Sequence, residues 1–269
     1  MTTNQHYIPQ FYQRLWECEK KGHLWELDKR HRKNADKGIR MQAIRTRNSQ
    51  NCLYEADKDN PNNAIENWYN KFETKFAERH KKFISICSRA CLLKISDTDK
   101  ITLCKLFANL SARNPTNLYE NRRNNALASR FTLGEKNHTV DRRYIQNLVA
   151  FTEGEMIEVF GGKTKFNHGE FLSEFARKLY SYNIQILVSN ESNIVFCDNI
   201  IEQVSYPNEY YFPICPTILA VFSKEHHAND KSVRKITPEE YSRFVRLYLK
   251  CSKVERIYAN NRNALDNLI

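Results

Sequence analysis

The sequence predicts an α+β fold: a helical body with a small N-terminal β-hairpin, then a C-terminal, mainly antiparallel sheet closed by a long helix. Three observations predict it. Between residues 64 and 112 the apolar side chains recur at helical spacing. Between 184 and 222 they form short β-branched and aromatic runs separated by turn-forming residues. Thr237-Pro238-Glu239-Glu240 is then a strong helix start before the last amphipathic stretch. With 269 residues, 41% hydrophobic and 27% charged, the chain can bury a substantial core. One domain over 1–269 is expected, with lobes at 1–183 and 184–269.

The opening stretch, His6-Tyr7-Ile8-Pro9-Gln10-Phe11-Tyr12-Gln13-Arg14-Leu15-Trp16, is the least generic part of the chain. Pro9 suits the first turn of a helix and pushes Ile8 out of the helical region, so His6 and Tyr7 enter extended. On the short helix that follows, Phe11, Leu15, Tyr12 and Trp16 are spaced to pack inward, while Gln10 and Arg14 share another face. The alternation in His23-Leu24-Trp25-Glu26-Leu27-Asp28 reads as a strand, and residues 38–45 as its antiparallel partner across a charged turn. Residues 51–54 read as a further short extended piece and 57–63 as a polar loop.

The longest helix is expected from Ala64 to about Ala90, with Ile65, Trp68, Phe72, Phe76, Phe83, Cys87 and Cys91 as its apolar stripe. Glu66 and Glu73 stand seven residues apart, two helical turns, and so point the same way from the flank of that stripe. Ser96-Asp97-Thr98-Asp99 caps the next helix, 100–112, which is apolar nearly all round and must be central. Arg113 leaves its end just before Asn114-Pro115. There it either pairs structurally with a carboxylate or caps carbonyls, or else holds a phosphate or a catalytic carboxylate.

Helices are expected at 118–131, 142–160 and 170–182. Glu153, Glu155 and Glu158 only superficially resemble a metal cluster. Residues 184–188 and 194–197 read as a hairpin ending on Asp198-Asn199, and 210–214 and 218–222 as two more strands. At a strand end Asp198 is placed to bind metal, accept a proton or hold Arg113, or simply to turn the chain. His226 and His227 read as surface residues. One long terminal helix follows Thr237, with Tyr241, Phe244, Val245, Tyr248 and Leu249 inward.

Eight cysteines lack any C-x-x-C or zinc-type spacing and read as free thiols. No apolar run approaches a membrane span and the polar start is no signal peptide, so a cytoplasmic protein with no membrane partner is expected. Lysine and arginine number 42 against 31 acids, a net charge of +11 that favours polyanions. The excess is dense from Lys29 to Arg47, making Arg30, Arg32, Lys33, Lys37 and Arg40 the candidate nucleic-acid contacts at the hairpin tip. An acidic protein partner suits the same charge. P-loop, dinucleotide-binding and nucleophile-elbow motifs are absent from the sequence, and no organic cofactor is indicated.

The His6-Tyr7-Ile8-Pro9-Gln10-Phe11-Tyr12 run followed by Arg14 resembles the opening signature of a bacterial and phage group, the domain-of-unknown-function family 4238. The helix with Glu66 and Glu73, the Arg113-Asn114-Pro115 exit, the Phe196-Cys197-Asp198-Asn199 strand end, and Phe212-Pro213 with Pro216 follow in the same family's order. Gln13 departs from its usual leucine and Ile200 from its usual proline. The resemblance maps His6, Gln10, Glu66, Glu73, Arg113 and Asp198 as residues that folding should gather. Gathered, they supply carboxylates for a divalent cation, an acid or base, and an arginine for phosphate charge. The leading expectation is a metal-assisted nuclease or nucleotide-processing enzyme, a toxin or antiphage effector, using Mg²⁺ or Mn²⁺ at Glu66, Glu73 and Asp198. The alternative is a non-catalytic RNA- or DNA-binding or regulatory module of a defence system. An open cleft at these groups favours the enzyme, and burial favours an architectural network.

Overall fold

The computed structural model describes residues 4–51, 53, 64–87, 94–114, 175–199, 209–224 and 230–269. The chain enters as β1 (Asn4–His6), paired antiparallel with β4 (Ser49–Asn51), so the extended piece expected from residue 51 begins two residues earlier. After Pro9 comes the single turn α1 (Gln10–Gln13), which tightens into a 3₁₀ turn at Arg14–Trp16. Tyr12 and Trp16 are fully buried, and Phe11 and Leu15 lie partly buried against the same core. The two deeper rings keep their polar atoms satisfied: the Tyr12 hydroxyl donates to the Pro213 carbonyl, and Trp16 Nε1 donates to Ile194 O at 2.9 Å.

The expected hairpin forms from β2 (His23–Asp28) and β3 (Ile39–Ala43), with Leu27 opposite Ile39 and Trp25 opposite Met41. Gly38 closes its tip at φ +73°, and a Cβ there would sit 2.5 Å from Asp28 O, so only glycine fits. The hairpin is not free-standing. The other edge of β2 pairs with β10 (Arg256–Ala259), and β10 pairs with β6 (Phe196–Cys197), giving an antiparallel sheet in the order β3-β2-β10-β6.

Helix α2 (Ala64–Cys87) and helix α3 (Asp97–Arg113) follow, the latter opened by a reciprocal Ser96 and Asp99 capping box. Leu103, Cys104, Leu106, Phe107 and Leu110 of α3 are buried as its composition predicts, although Ile101 is exposed. The side chains of Ile65, Trp68 and Phe72, with Cys91 and Cys52, lie outside the described residues. So do the helices expected at 118–131 and 142–160, the acids Glu153, Glu155 and Glu158, the 57–63 loop, and His226 with His227. Of the helix expected at 170–182, residues 175–180 are described and helical.

A second sheet has the order β7-β8-β5-β9, from β5 (Asn183–Val188), β7 (Glu209–Cys215), β8 (Ile218–Ser223) and β9 (Ser232–Lys235). Its pairings are antiparallel except β5 with β9, which is parallel. The expected hairpin of 184–188 with 194–197 does not form. Both edges of β5 are taken by β8 and β9, and residues 189–193 carry the chain across to the other sheet, where Phe196 stacks on Tyr258 at 4.8 Å.

The single long terminal helix is also corrected. Helix α4 (Pro238–Lys250) starts on a Thr237 and Glu240 capping box and ends at Lys250. Strand β10 and the short α5 (Arg262–Asp266) follow, because Ile257, Tyr258 and Ala259 fill a place in the first sheet. Phe244, Val245 and Tyr248 of α4 share one buried cluster with Leu187 and Leu219 of the second sheet and Leu27 and Ile257 of the first. The other cluster joins Tyr12, Trp16, Phe107, Phe196, Phe212 and Phe222, so the opening segment and α3 pack on the opposite side. Six described cysteines are free thiols. Among the described residues no helix is long and apolar enough to cross a membrane.

Candidate functional site

Arg113 is the last residue of α3, and its side chain is fully buried. The extended Asn114 ends the helix and leaves the guanidinium facing α2 and the opening segment. Nη1 donates to the Glu73 carboxylate, Nη2 donates to His6 O at 2.5 Å, and Glu66 Oε2 lies 3.9 Å from Nη2. The guanidinium carbon sits 4.3 Å from the centre of the Tyr69 ring, which α2 presents between its two glutamates. The glutamates are nearly as enclosed, at 13% and 20% exposure for Glu66 and Glu73.

His6 joins this network through its main-chain carbonyl. Burial depresses the pKa of its ring, against the Ile44 carbonyl beside it, and Arg113 depresses it further. The imidazole is therefore held neutral. Gln10 begins α1 half-buried and makes no side-chain hydrogen bond among the described residues.

Asp198 belongs to a second group, coupled to the first through one residue. Asn114 Nδ2 reaches Asp198 O at 3.4 Å and Asn199 Oδ1 at 3.2 Å, tying the exit of α3 to the end of β6. The Asp198 carboxylate itself accepts from Glu255 N at 3.2 Å, and Asp198 N donates to Arg256 O at 3.1 Å. Strand register then sets Arg256 between Asp198 on one side and Asp28 on the other, with Glu26 one step along the same face. Burial pushes the Asp198 carboxyl up to about 7, against the N–H and the charge of Arg256. Tyr7 lies over this corner, its phenol pushed up by burial and then by Asp198.

Glu26 is buried, and its pKa is raised by that burial against the pull of Arg47, whose Nε lies 3.3 Å from Glu26 Oε2. A neutral chain of bonds continues from there. The Tyr258 hydroxyl donates to Asn48 Oδ1 at 3.0 Å and Asn48 Nδ2 donates to Gln13 Oε1 at 3.1 Å. Gln13 Nε2 donates to Ile8 O at 2.7 Å and to Arg47 O at 3.2 Å. Gln13 is thus the clasp between the opening segment and the loop before β4.

Of the six residues mapped from the sequence, four meet in the Arg113 network, and Asp198 belongs to the adjoining polar corner. Tyr7, Gln13, Glu26, Asn48 and Arg256 were missed. A signal existed for Glu26, an acid on the inward-facing alternation of β2 with Leu24. A divalent cation at Glu66 and Glu73 would have to compete with the guanidinium they already face. Among the described residues no three His, Cys, Asp or Glu side chains are grouped to hold a metal ion.

The hairpin cations are largely engaged within the protein. Arg30 makes two bonds to Asp28, at 3.0 and 2.7 Å, and approaches Glu255 at 3.3 Å. Arg40 pairs with Asp36 at 2.8 Å, Lys37 lies 4.0 Å from Asp266, and Arg32 donates to Leu268 O at 3.4 Å. Lys33 is exposed and makes no ion pair among the described residues. Lys29 turns inward and donates to the Tyr248 and Cys251 carbonyls at the C-terminus of α4, which anchors the tip.

The fold and site define a mixed α/β protein organised around a buried arginine and carboxylate network. The family model for proteins of unknown function (DUF4238) matches residues 4–263, so the chain belongs to that family. No curated protein and no solved structure matches it.

Proposed function

We propose that the protein is a nucleic-acid-binding module in which the Arg113 network is architecture and the basic hairpin is the contact surface. The observation that carries this reading is the complete burial of Arg113 against Glu73 and Glu66, which keeps its guanidinium from a dissolved substrate. The net charge of +11 supplies the attraction. Pairing at the hairpin tip does not oppose it. Arg30, Lys37 and Arg40 are each more than half exposed, and exposed ion pairs contribute only ~0–1 kcal/mol, so phosphate oxygens can take over those partners. The test is fluorescence anisotropy of labelled single-stranded RNA and DNA between 50 and 200 mM KCl, with Arg30, Lys33, Lys37 and Arg40 changed together to Gln. Losing up to four phosphate contacts should lower the salt slope by roughly 3. An unchanged slope overturns the reading.

A second reading has an observation of its own. Asp198 titrates near neutrality beside Arg256 and Tyr7, in a corner where all three are only half-buried. Such a group suits proton transfer in phosphodiester or nucleotide chemistry, with Mg²⁺ or Mn²⁺ supplied by solution, and fits a toxin or antiphage effector. Metal-dependent cleavage of RNA or DNA that Asp198→Asn abolishes would favour it. In both readings the protein works in the cytoplasm, where its thiols stay reduced.

A further inference from the structure

Arg256, the first residue of β10, is half-buried, and its side chain makes no hydrogen bond or ion pair among the described residues. Every other described lysine or arginine that is buried or half-buried, from Lys29 to Arg234, donates to a carbonyl or meets a carboxylate. A guanidinium keeps its charge at any physiological pH and has N–H donors in a rigid fork, so partial burial without a partner is costly.

The neighbouring acids do not answer it. Strand register puts Asp28, Glu26 and Asp198 on the same face of the first sheet as Arg256. Asp28 is taken by Arg30 at 2.7 Å, Glu255 approaches the same arginine at 3.3 Å, and Glu26 lies 3.3 Å from Arg47. Asp198 is left. Its carboxyl accepts from Glu255 N at 3.2 Å and, pushed up to about 7 by burial, is in large part protonated at neutral pH. The corner therefore carries an unanswered positive charge.

Tyr7 supplies a third group. Its hydroxyl makes no hydrogen bond among the described residues, and burial pushes the phenol up, so it stays an O–H donor. Two consecutive residues at the exit of α3 hold the two sides of the corner in place. Arg113 donates to the carbonyl of His6, beside Tyr7, and Asn114 Nδ2 reaches Asp198 O at 3.4 Å. Tyr7 N also donates to Asn48 O at 2.9 Å. The buried network thus positions donors from three separate segments.

A carboxylate has two oxygens in one plane, which a guanidinium fork satisfies by itself. A phosphate monoester has three terminal oxygens, enough for the fork, the phenol and a protonated carboxyl together. Its second pKa of about 6 also lets it share one proton with Asp198. We propose that the corner formed by Tyr7, Asp198 and Arg256 binds a terminal phosphate, either of a free monoester or of a nucleic-acid strand end. This rests on the site of the second reading and names the group that site takes, and it requires no cleavage.

The experiment is isothermal titration of the full-length chain at pH 7 in EDTA with inorganic phosphate, adenosine 5′-monophosphate and, as the carboxylate control, acetate. Single-stranded oligonucleotides ending in a 5′-phosphate or a 5′-hydroxyl are titrated in parallel, to separate the two sources. Arg256→Gln removes the fork and Tyr7→Phe the hydroxyl, while Arg246→Gln removes an exposed charge on α4; circular dichroism establishes that each folds. Phosphate in at least one arm should bind, and acetate should bind roughly tenfold more weakly or worse. Arg256→Gln should weaken phosphate binding roughly tenfold or more and Tyr7→Phe about fivefold, with Arg246→Gln like the wild type. If only strand ends are taken, these factors appear with the 5′-phosphorylated oligonucleotide alone. Absence of a phosphate preference in every arm overturns the proposal, as does acetate binding as tightly, or an equal loss in Arg256→Gln and Arg246→Gln. Should Arg256→Gln not fold, unchanged binding in Tyr7→Phe overturns it. Phosphate binding without cleavage upholds the proposal and defeats the second reading; cleavage that Asp198→Asn abolishes, without phosphate binding, overturns the proposal alone.

Discussion

Replacing Arg113 by Met tests whether the polar cluster holds the fold together. Methionine keeps most of the buried stem and removes the guanidinium, which in the wild type bonds Glu73 and the His6 carbonyl and lies over Tyr69. A charged hydrogen bond contributes about 1.5–3 kcal/mol, and a buried carbonyl left without its donor costs about 1–3. The ring contact adds about 0.5–2 kcal/mol. These terms overlap, and breaking buried pairs from one side typically costs about 3–5 kcal/mol, so a loss of about 4 is expected. That is a large part of the ~5–15 kcal/mol that holds a typical domain folded. Urea unfolding at pH 7.5, followed by tryptophan fluorescence, measures it. Much of the loss is the penalty of stranding Glu73, so adding Glu73→Gln should recover about 1.5 kcal/mol or more. A loss under 1 kcal/mol, or strict additivity of the two changes, would refute the network.

Three other perturbations follow from the titrating groups and the hairpin tip. The Asp198 carboxyl is raised from 3.8 to about 7, so the folded state holds its proton more tightly and stability falls as pH rises through that window. Asp198→Asn should match the wild type below pH 4 and exceed it at pH 8, by about 2 kcal/mol once partial solvent access discounts the ceiling of about 4; urea midpoints at both pH values decide. His80 has the opposite sign. Buried against Ile214 O, it is depressed from 6.5 to about 4, so as pH falls through that window the unfolded state takes up the proton first. Up to about 3 kcal/mol is then lost, and His80→Phe should remove that slope from a urea midpoint against pH plot while lowering stability at pH 8. Gly38→Ala imposes a left-handed φ and drives a Cβ against Asp28 O, which should cost at least ~1–2 kcal/mol in the same unfolding assay and weaken hairpin-dependent nucleic-acid binding.

Local signals predicted much of the frame. The Ser96 and Thr237 capping boxes, the alternation of β2 and β3, and the Phe212 and Phe222 strands all lie in short windows, and each formed. The misplaced elements are those whose identity is settled across the chain. Strand β10 follows a strong helix and has only four residues, and it becomes a strand because β2 and β6 leave a place between them. Strand β6 seemed to belong with β5 by proximity, yet β8 and β9 had already filled both edges of β5. For the site, seven-residue spacing correctly put Glu66 and Glu73 on one face, and the arginine at the helix exit was correctly suspected of pairing with a carboxylate. Nothing local could reveal that both glutamates share that arginine. Nor could it reveal that Gln13 reaches Asn48, and Asn48 reaches Tyr258, over 210 residues of chain.

The central claim, that the buried Arg113 network is architecture rather than an active site, is tested most directly with Glu73→Gln. Binding and cleavage of labelled RNA and DNA are measured with Mg²⁺, with Mn²⁺ and with EDTA, at a temperature where the variant is folded. The network predicts lower stability for the variant, together with salt-sensitive, EDTA-insensitive binding equal to that of the wild type. Metal-dependent cleavage by the wild type that vanishes in folded Glu73→Gln would contradict it and make the cluster an active site.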